Sequence, residues 1–128
     1  MITEDYVSFE TAKLLKEKGF DEECSCFYNN IDYGTPGLEV DGQLYYKNSA
    51  LDDEEYAAPT LQMAMKWLRE KKLYINIWAD PKDAEHNNFE IVYSTTVFNG
   101  NSNFGTHEFS SYEEAAEAGI KYCLEKLI

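Results

Sequence analysis

Positive charge is scarce in this chain: eleven Lys and Arg stand against twenty-four Asp and Glu in 128 residues, for a formal net charge of −13. Such a surface repels phosphate backbones and anionic headgroups, which argues against direct binding to nucleic acid or to a membrane surface. Long apolar runs are missing too. No stretch approaches the ~18 residues of a membrane span, and the start, MITEDYVSFE, has neither a basic n-region nor an apolar h-region. The expected location is cytoplasmic. Cysteine is sparse and odd in number, at Cys24, Cys26 and Cys123. The first two are one residue apart, a strained spacing for a mutual disulfide, so reduced thiols are expected. The chain also lacks a glycine-rich phosphate loop, an H-E-x-x-H pair, an EF-hand loop, internal repeats and low-complexity tracts.

Apolar and aromatic residues, by contrast, are plentiful. Hydrophobic residues make up 44% and aromatics 15%, ten of them tyrosine, which removes the chain from the disordered class despite its charge. Its length fits a single compact domain spanning residues 1–128 that buries about two thirds of its unfolded surface.

Helical and strand periods alternate along the chain. Ser8 is placed to cap a first helix running to about Lys18, with Gly19 as its left-handed stop and Phe20 folding back on Leu15. Short apolar runs follow, CSCFY, LEV and QLYY, with a hairpin expected across Asp41-Gly42. The stretch KNSALDDEEY reads as loop. Pro59 or Thr60 then starts a second helix whose Leu61, Ala64, Met65 and Leu68 share one face, with Trp67 beside it and Met63 pointing elsewhere. The two sulfurs therefore do not converge, and the stripe is expected to be core. After Lys72 the period becomes two: Leu73, Ile75 and Ile77 alternate with Tyr74, Asn76 and Trp78. The loop ADPKDAEHNN leads to a long strand, FEIVYSTTVF, in which Phe89, Ile91, Tyr93, Thr95 and Val97 share a face. NGNSNFG reads as a turn-rich loop and THEFS as a short strand. Ser111 and Glu114 form an S-x-x-E capping box for a last helix, whose Ala116, Ile120, Cys123, Leu124 and Leu127 make an apolar stripe. Gly119 at the edge of that stripe marks a close approach by another element.

This order predicts an α+β fold, with three amphipathic helices packed on one face of a mainly antiparallel sheet. Three segments, VSFETAKLLKEKGFD, APTLQMAMKWLRE and SYEEAAEAGIKYCLEKLI, resemble a group of small uncharacterised proteins found in phages and prophages of gut bacteria. The resemblance implies a context, a phage or prophage product acting inside a bacterial host, and carries no catalytic residue with it.

Several constellations could carry chemistry. Cys24-x-Cys26 could offer thiolates, with Cys123, His86 or His107 completing a zinc site, but a C-x-C in a strand lacks the tight knuckle of structural zinc. Neither histidine lies in a nucleophile motif. Neither catalytic residues nor a metal or cofactor are expected. The acids Asp52, Asp53, Glu54 and Glu55, and again Asp80, Asp83 and Glu85, match no calcium loop and read as solvated or as an acidic interaction surface. Lys66, Arg69, Lys71 and Lys72 suit the dipole at the end of the second helix. Tyrosines crowd the strands and their flanks, at Tyr28, Tyr33, Tyr45, Tyr46, Tyr56, Tyr74 and Tyr93. Tyrosine is favoured both in sheets and at protein interfaces.

The reading these features favour is a non-enzymatic interaction module that binds a protein partner or a second copy of itself. Tyr45, Tyr46, Tyr56, Tyr74 and Trp78 would be aromatic anchors, and Asp52, Asp53, Glu54 and Glu55 would steer toward a basic partner. In its sharper version the acidic surface imitates DNA and inhibits a nucleic-acid-binding protein. The alternative is a small enzyme or ligand-binding domain with a pocket near Cys24, Cys26 and His107.

Overall fold

The structure, a computed structural model, describes residues 1–29, 37–40, 45–82, 90–105 and 108–128. The protein is α+β, with three α-helices and two three-stranded antiparallel sheets among these residues. One compact unit comprises residues 1–64 with Ile128, the other residues 65–127.

In the first unit, helix α1 (Phe9–Glu17) starts as the sequence predicts: Ser8 Oγ accepts the Thr11 N–H. It stops in a Schellman motif, the Phe20 N–H bonding Leu15 O (2.9 Å) and the Gly19 N–H bonding Lys16 O (3.2 Å). Gly19 takes φ +92°, which only glycine adopts without strain. Strand β1 (Cys26–Asn29) is central in the order β2-β1-β3, flanked by β2 (Gly37–Val40) and β3 (Glu55–Ala57). Cross-strand partners Tyr28 and Tyr56 both meet the Phe9 ring of α1 edge-on, at 5.8 and 5.4 Å. Val7, Ala12, Leu15, Phe20, Cys26 and Ala57 complete this core.

The stretch expected to be loop contains more order than its composition suggests. A 3₁₀ turn covers Asn48–Ala50, and β3 begins at Glu55. Asn48 explains how three residues hold an edge position. Its Nδ2 donates to Phe20 O (2.8 Å) and its Oδ1 accepts the Ala57 N–H (2.9 Å), so one buried amide ties β3 to the end of the α1 segment. The hairpin expected at Asp41-Gly42 lies outside the described residues.

Helix α2 (Leu61–Glu70) is capped by Thr60, whose Oγ1 accepts the Met63 N–H (3.1 Å). Leu61, Ala64, Met65 and Leu68 are all buried, as their spacing predicts, and Lys71 lies over the Trp67 ring at 4.5 Å. The helix ends in a second Schellman motif, with Leu73 N–H on Leu68 O and Lys72 N–H on Arg69 O. Here Lys72, not glycine, takes the left-handed position at φ +66°, a conformation that costs a side-chain-bearing residue about 1 kcal/mol.

The second unit is a meander, β4 (Tyr74–Lys82), β5 (Glu90–Phe98) and β6 (Asn103–Gly105), with helix α3 (Tyr112–Tyr122) laid on it. The Asn99 side chain builds the β5–β6 turn by accepting N–H bonds from Asn101 and Ser102, and Gly100 supplies φ +96°. As a result β6 begins at Asn103, inside the segment read as loop. Of THEFS, Phe109 pairs with Tyr93 in a single bridge, and Thr106 and His107 lie outside the described residues.

Ser111 caps α3 by accepting the Glu114 N–H (3.1 Å), but Glu114 reaches back to the N–H and hydroxyl of Ser110, one residue before the position a reciprocal box requires. The helix closes in a π turn over Cys123–Leu127. The sequence reading expects one sheet, whereas the described strands form two. The physical reason is local pairing. β4, β5 and β6 are consecutive and pair with their nearest neighbours in the chain, while β3 takes the free edge of β1 before α2 begins.

Candidate functional site

Strands β4 and β5 pair without a bulge over nine positions, from Tyr74↔Phe98 to Lys82↔Glu90. Successive side chains point to opposite faces, so one face takes Ile75, Ile77, Thr95 and Val97 and the other takes Tyr74, Asn76, Trp78, Ser94, Thr96 and Phe98. Helix α3 covers the first face. A Cβ built on Gly119 would stand 2.8 Å from Thr95 Cγ2 and 2.9 Å from Ile75 Cγ2, so the helix backbone rests on those two side chains. Thr95 Oγ1 donates to Ala115 O at 2.7 Å, which locks helix to strand and satisfies a buried hydroxyl.

The opposite face stays open. Tyr74 is 36% exposed, Trp78 43% and Phe98 36%, with the Tyr74 and Phe98 rings 6.3 Å apart across the strands. Tyr74 to Trp78 spans roughly 14 Å of strand. Full burial of a large apolar side chain contributes about 1.5–3 kcal/mol. Three aromatics partly exposed on one rigid sheet face leave part of that stabilisation for a partner to realise.

Tyr74 and Phe98 thus meet across the strands, and Trp78 lies further along β4 on the same face. The sequence reading missed Phe98, although strand alternation alone puts it on the face opposite Val97. The remaining expected anchors belong to the first unit. Tyr45 is 72% exposed, whereas Tyr46 is half-buried, bridged to Cys24 and in tilted ring contact with Phe27 at 4.7 Å. Tyr56 is in the core, only 9% exposed, with Lys16 Nζ above its ring at 5.2 Å. Asp52, Asp53 and Glu54 are exposed and Glu55 is half-buried in β3. Lys16 ties that acidic turn down by donating to the carbonyls of Asp52 and Glu55, both at 2.8 Å. Tyr33, Asp83, Glu85, His86, Phe89 and His107 lie outside the described residues.

The three cysteines are free and buried. Burial, and then the nearby Cys26 and Glu22, push the Cys24 thiol up to about 12; burial likewise pushes Cys123 up to about 12. At neutral pH both are therefore thiols, poor nucleophiles and poor metal ligands. Among the described residues no three His, Cys, Asp or Glu side chains form a group able to hold a metal ion.

The raised thiols predict an alkaline weakness. The folded state holds both protons more tightly than the unfolded chain, so the stability they confer is intact below about pH 9 and lost as pH rises toward 12. Each contributes a slope of up to about 1.4 kcal/mol per pH unit in that window. Denaturant unfolding at stepped alkaline pH checks this, and replacing Cys24 with alanine is expected to flatten the slope by its share.

No described helix is long and apolar enough to cross a membrane. Comparisons with protein-family models, curated proteins and solved structures find no match to this chain.

Proposed function

We propose that this protein is a non-enzymatic protein-protein interaction module, and that it binds through the open face of its second sheet. The observation that carries the reading is the presence of Tyr74, Trp78 and Phe98, all exposed, on one face whose reverse side is pinned by α3. Rigid aromatic anchors held by regular strands lose little conformational freedom on binding, and Trp and Tyr are the residue types that most often dominate interface energetics. The exposed acids Asp52, Asp53 and Glu54 and the net charge of −13 favour a basic partner over nucleic acid or lipid. In the context that the phage resemblance implies, a heterologous partner would be a host or phage protein, and the acidic surface could inhibit it by imitating DNA.

The test compares the wild-type chain with a Tyr74→Ser, Trp78→Ser, Phe98→Ser triple variant. All three side chains are surface-exposed, so circular dichroism and cooperative unfolding should persist. Association with a purified partner, or with itself, is expected to weaken at least about a hundredfold, given hot-spot losses of about 2 kcal/mol or more per anchor. Unchanged association in the folded variant would remove this face from the function. Persistence of a complex with a basic protein from low to high salt would remove the mimicry version.

A further inference from the structure

Among the described residues strand β4 forms one edge of its sheet, and the far side of β5 reveals which of its backbone groups face outward. Tyr93 exchanges both backbone hydrogen bonds with Phe109, at 2.9 and 2.8 Å, so its N–H and C=O point away from β4. Ala79 lies opposite Tyr93 on β4, and that pair is therefore of the non-hydrogen-bonded kind. Alternation along the unbroken register extends the result. Tyr74, Asn76, Trp78 and Asp80 bond to β5, whereas Ile75, Ile77, Ala79 and Pro81 turn their backbone groups outward. Pro81 agrees with this assignment, because a proline within a sheet belongs where no ladder N–H is required.

An outward row of donors and acceptors is a template for another strand. Edges are commonly blunted by charge or by a bulge, yet Leu73 to Ala79 reads LYINIWA, without a charge in a chain that is 27% charged, and the register has no bulge. Pro81 blunts only the far end.

We propose that the β4 edge pairs with the β4 edge of a second copy of this chain, antiparallel about a two-fold axis at Ile77, so that two three-stranded sheets become continuous. The proposal rests on the interaction reading above in its self-associating form, in which the partner is a second acidic copy and not a basic protein. In this register the two Ile77 residues exchange a pair of hydrogen bonds, and each flanking Ile75–Ala79 pair exchanges another. Other antiparallel registers do worse. The proposed register leaves Leu73 opposite Pro81 at its two ends, whereas a shift by two residues sets Pro81, which has no N–H, or Leu73, whose N–H already bonds Leu68 O at 3.0 Å, against Ile75 or Ala79 and leaves fewer complete pairs.

Side chains also suit this register. Trp78 falls opposite Asn76 of the second copy, so the two indoles meet across a diagonal of about 7–8 Å. Asp80, the charge within the paired segment, falls opposite the Tyr74 phenol and not opposite another acid. The open aromatic face would then run through both copies and double in extent.

Sedimentation velocity of the full chain over a concentration series, at low and high salt, tests the pairing, with amide hydrogen exchange read at both ends of the series. A dimer that tightens with salt is expected, because two copies at −13 each repel and salt screens the repulsion. The amides of Ile75, Ile77 and Ala79 should gain protection as the dimer forms. Ile77→Pro removes the central outward N–H without touching a bond to β5 and should raise the dimer Kd at least about tenfold. Ala79→Pro, at an exposed position, is a second variant with the same expectation. A monomer at every concentration overturns the proposal, as does a dimer in which those three amides exchange as fast as in dilute protein. If such a monomer still binds a different protein through Tyr74, Trp78 and Phe98, the homodimer falls and the interaction reading stands.

Discussion

Gly119→Val is expected to lower stability by about 3 kcal/mol or more, the upper end of the range for overpacking a closed core. Ordinarily, replacing a helical glycine stabilises, since glycine costs about 1 kcal/mol relative to alanine in a helix interior. Here the added Cβ would stand 2.8 Å from Thr95 Cγ2 and 2.9 Å from Ile75 Cγ2. Both methyls sit on β-branched side chains that are stiff at χ1. Thr95 has a further restraint, because rotating it away would break the 2.7 Å bond from its hydroxyl to Ala115 O. The clash must therefore be relieved by moving α3 off the sheet. Even Gly119→Ala should lose about 1–2 kcal/mol net, the propensity gain being smaller than the overpacking cost. Urea unfolding of the two variants measures this. Coupling to Thr95→Ser, which deletes the offending methyl and keeps the hydroxyl, should recover part of the loss. An alanine variant as stable as the wild type would show that the helix can shift at no cost.

Asn48→Ala should lower stability by about 2–5 kcal/mol. The side chain is 7% exposed and serves two backbone groups, the Phe20 carbonyl and the Ala57 N–H. Alanine abandons both bonds, and a hydrogen bond lost from a buried backbone group costs up to about 1–3 kcal/mol. Asn48→Asp separates the two bonds. A carboxylate still accepts the Ala57 N–H but puts negative charge against the Phe20 carbonyl, whereas the protonated acid can donate to it. The folded state therefore favours the protonated form, which raises the folded pKa. Relative to wild type at the same pH, the variant should be least destabilised below about pH 4 and lose stability as pH rises above the unfolded carboxyl value. A deficit independent of pH would show that the introduced carboxylate has swung out to water.

How much of this was legible beforehand differs between helices and sheets. The α1 stop at Gly19, the Thr60 and Ser111 caps, the buried face of α2 and the close approach at Gly119 all follow from contacts within a few residues of chain, or from a glycine whose presence needs an explanation. Asn48 had no such signal. It sits in a polar stretch that reads as loop, and its importance comes from Phe20 and Ala57, 28 and 9 residues away. Tyr56 was expected among the exposed anchors, yet lies under Phe9 because β3 pairs with β1.

For the candidate surface, alternation in β4 separated Tyr74 and Trp78 from Ile75 and Ile77, and the same alternation in β5 separated Phe98 from Val97. What alternation leaves open is which face a helix covers and which strand lies beside which. Period and capping are properties of a segment, written in residues that touch one another along the chain. Burial, edge position and the outward row of Ile75, Ile77 and Ala79 depend on register between segments. Register is set by packing between residues far apart in sequence, such as Gly119 on Thr95 and Ile75, and only the folded chain decides it.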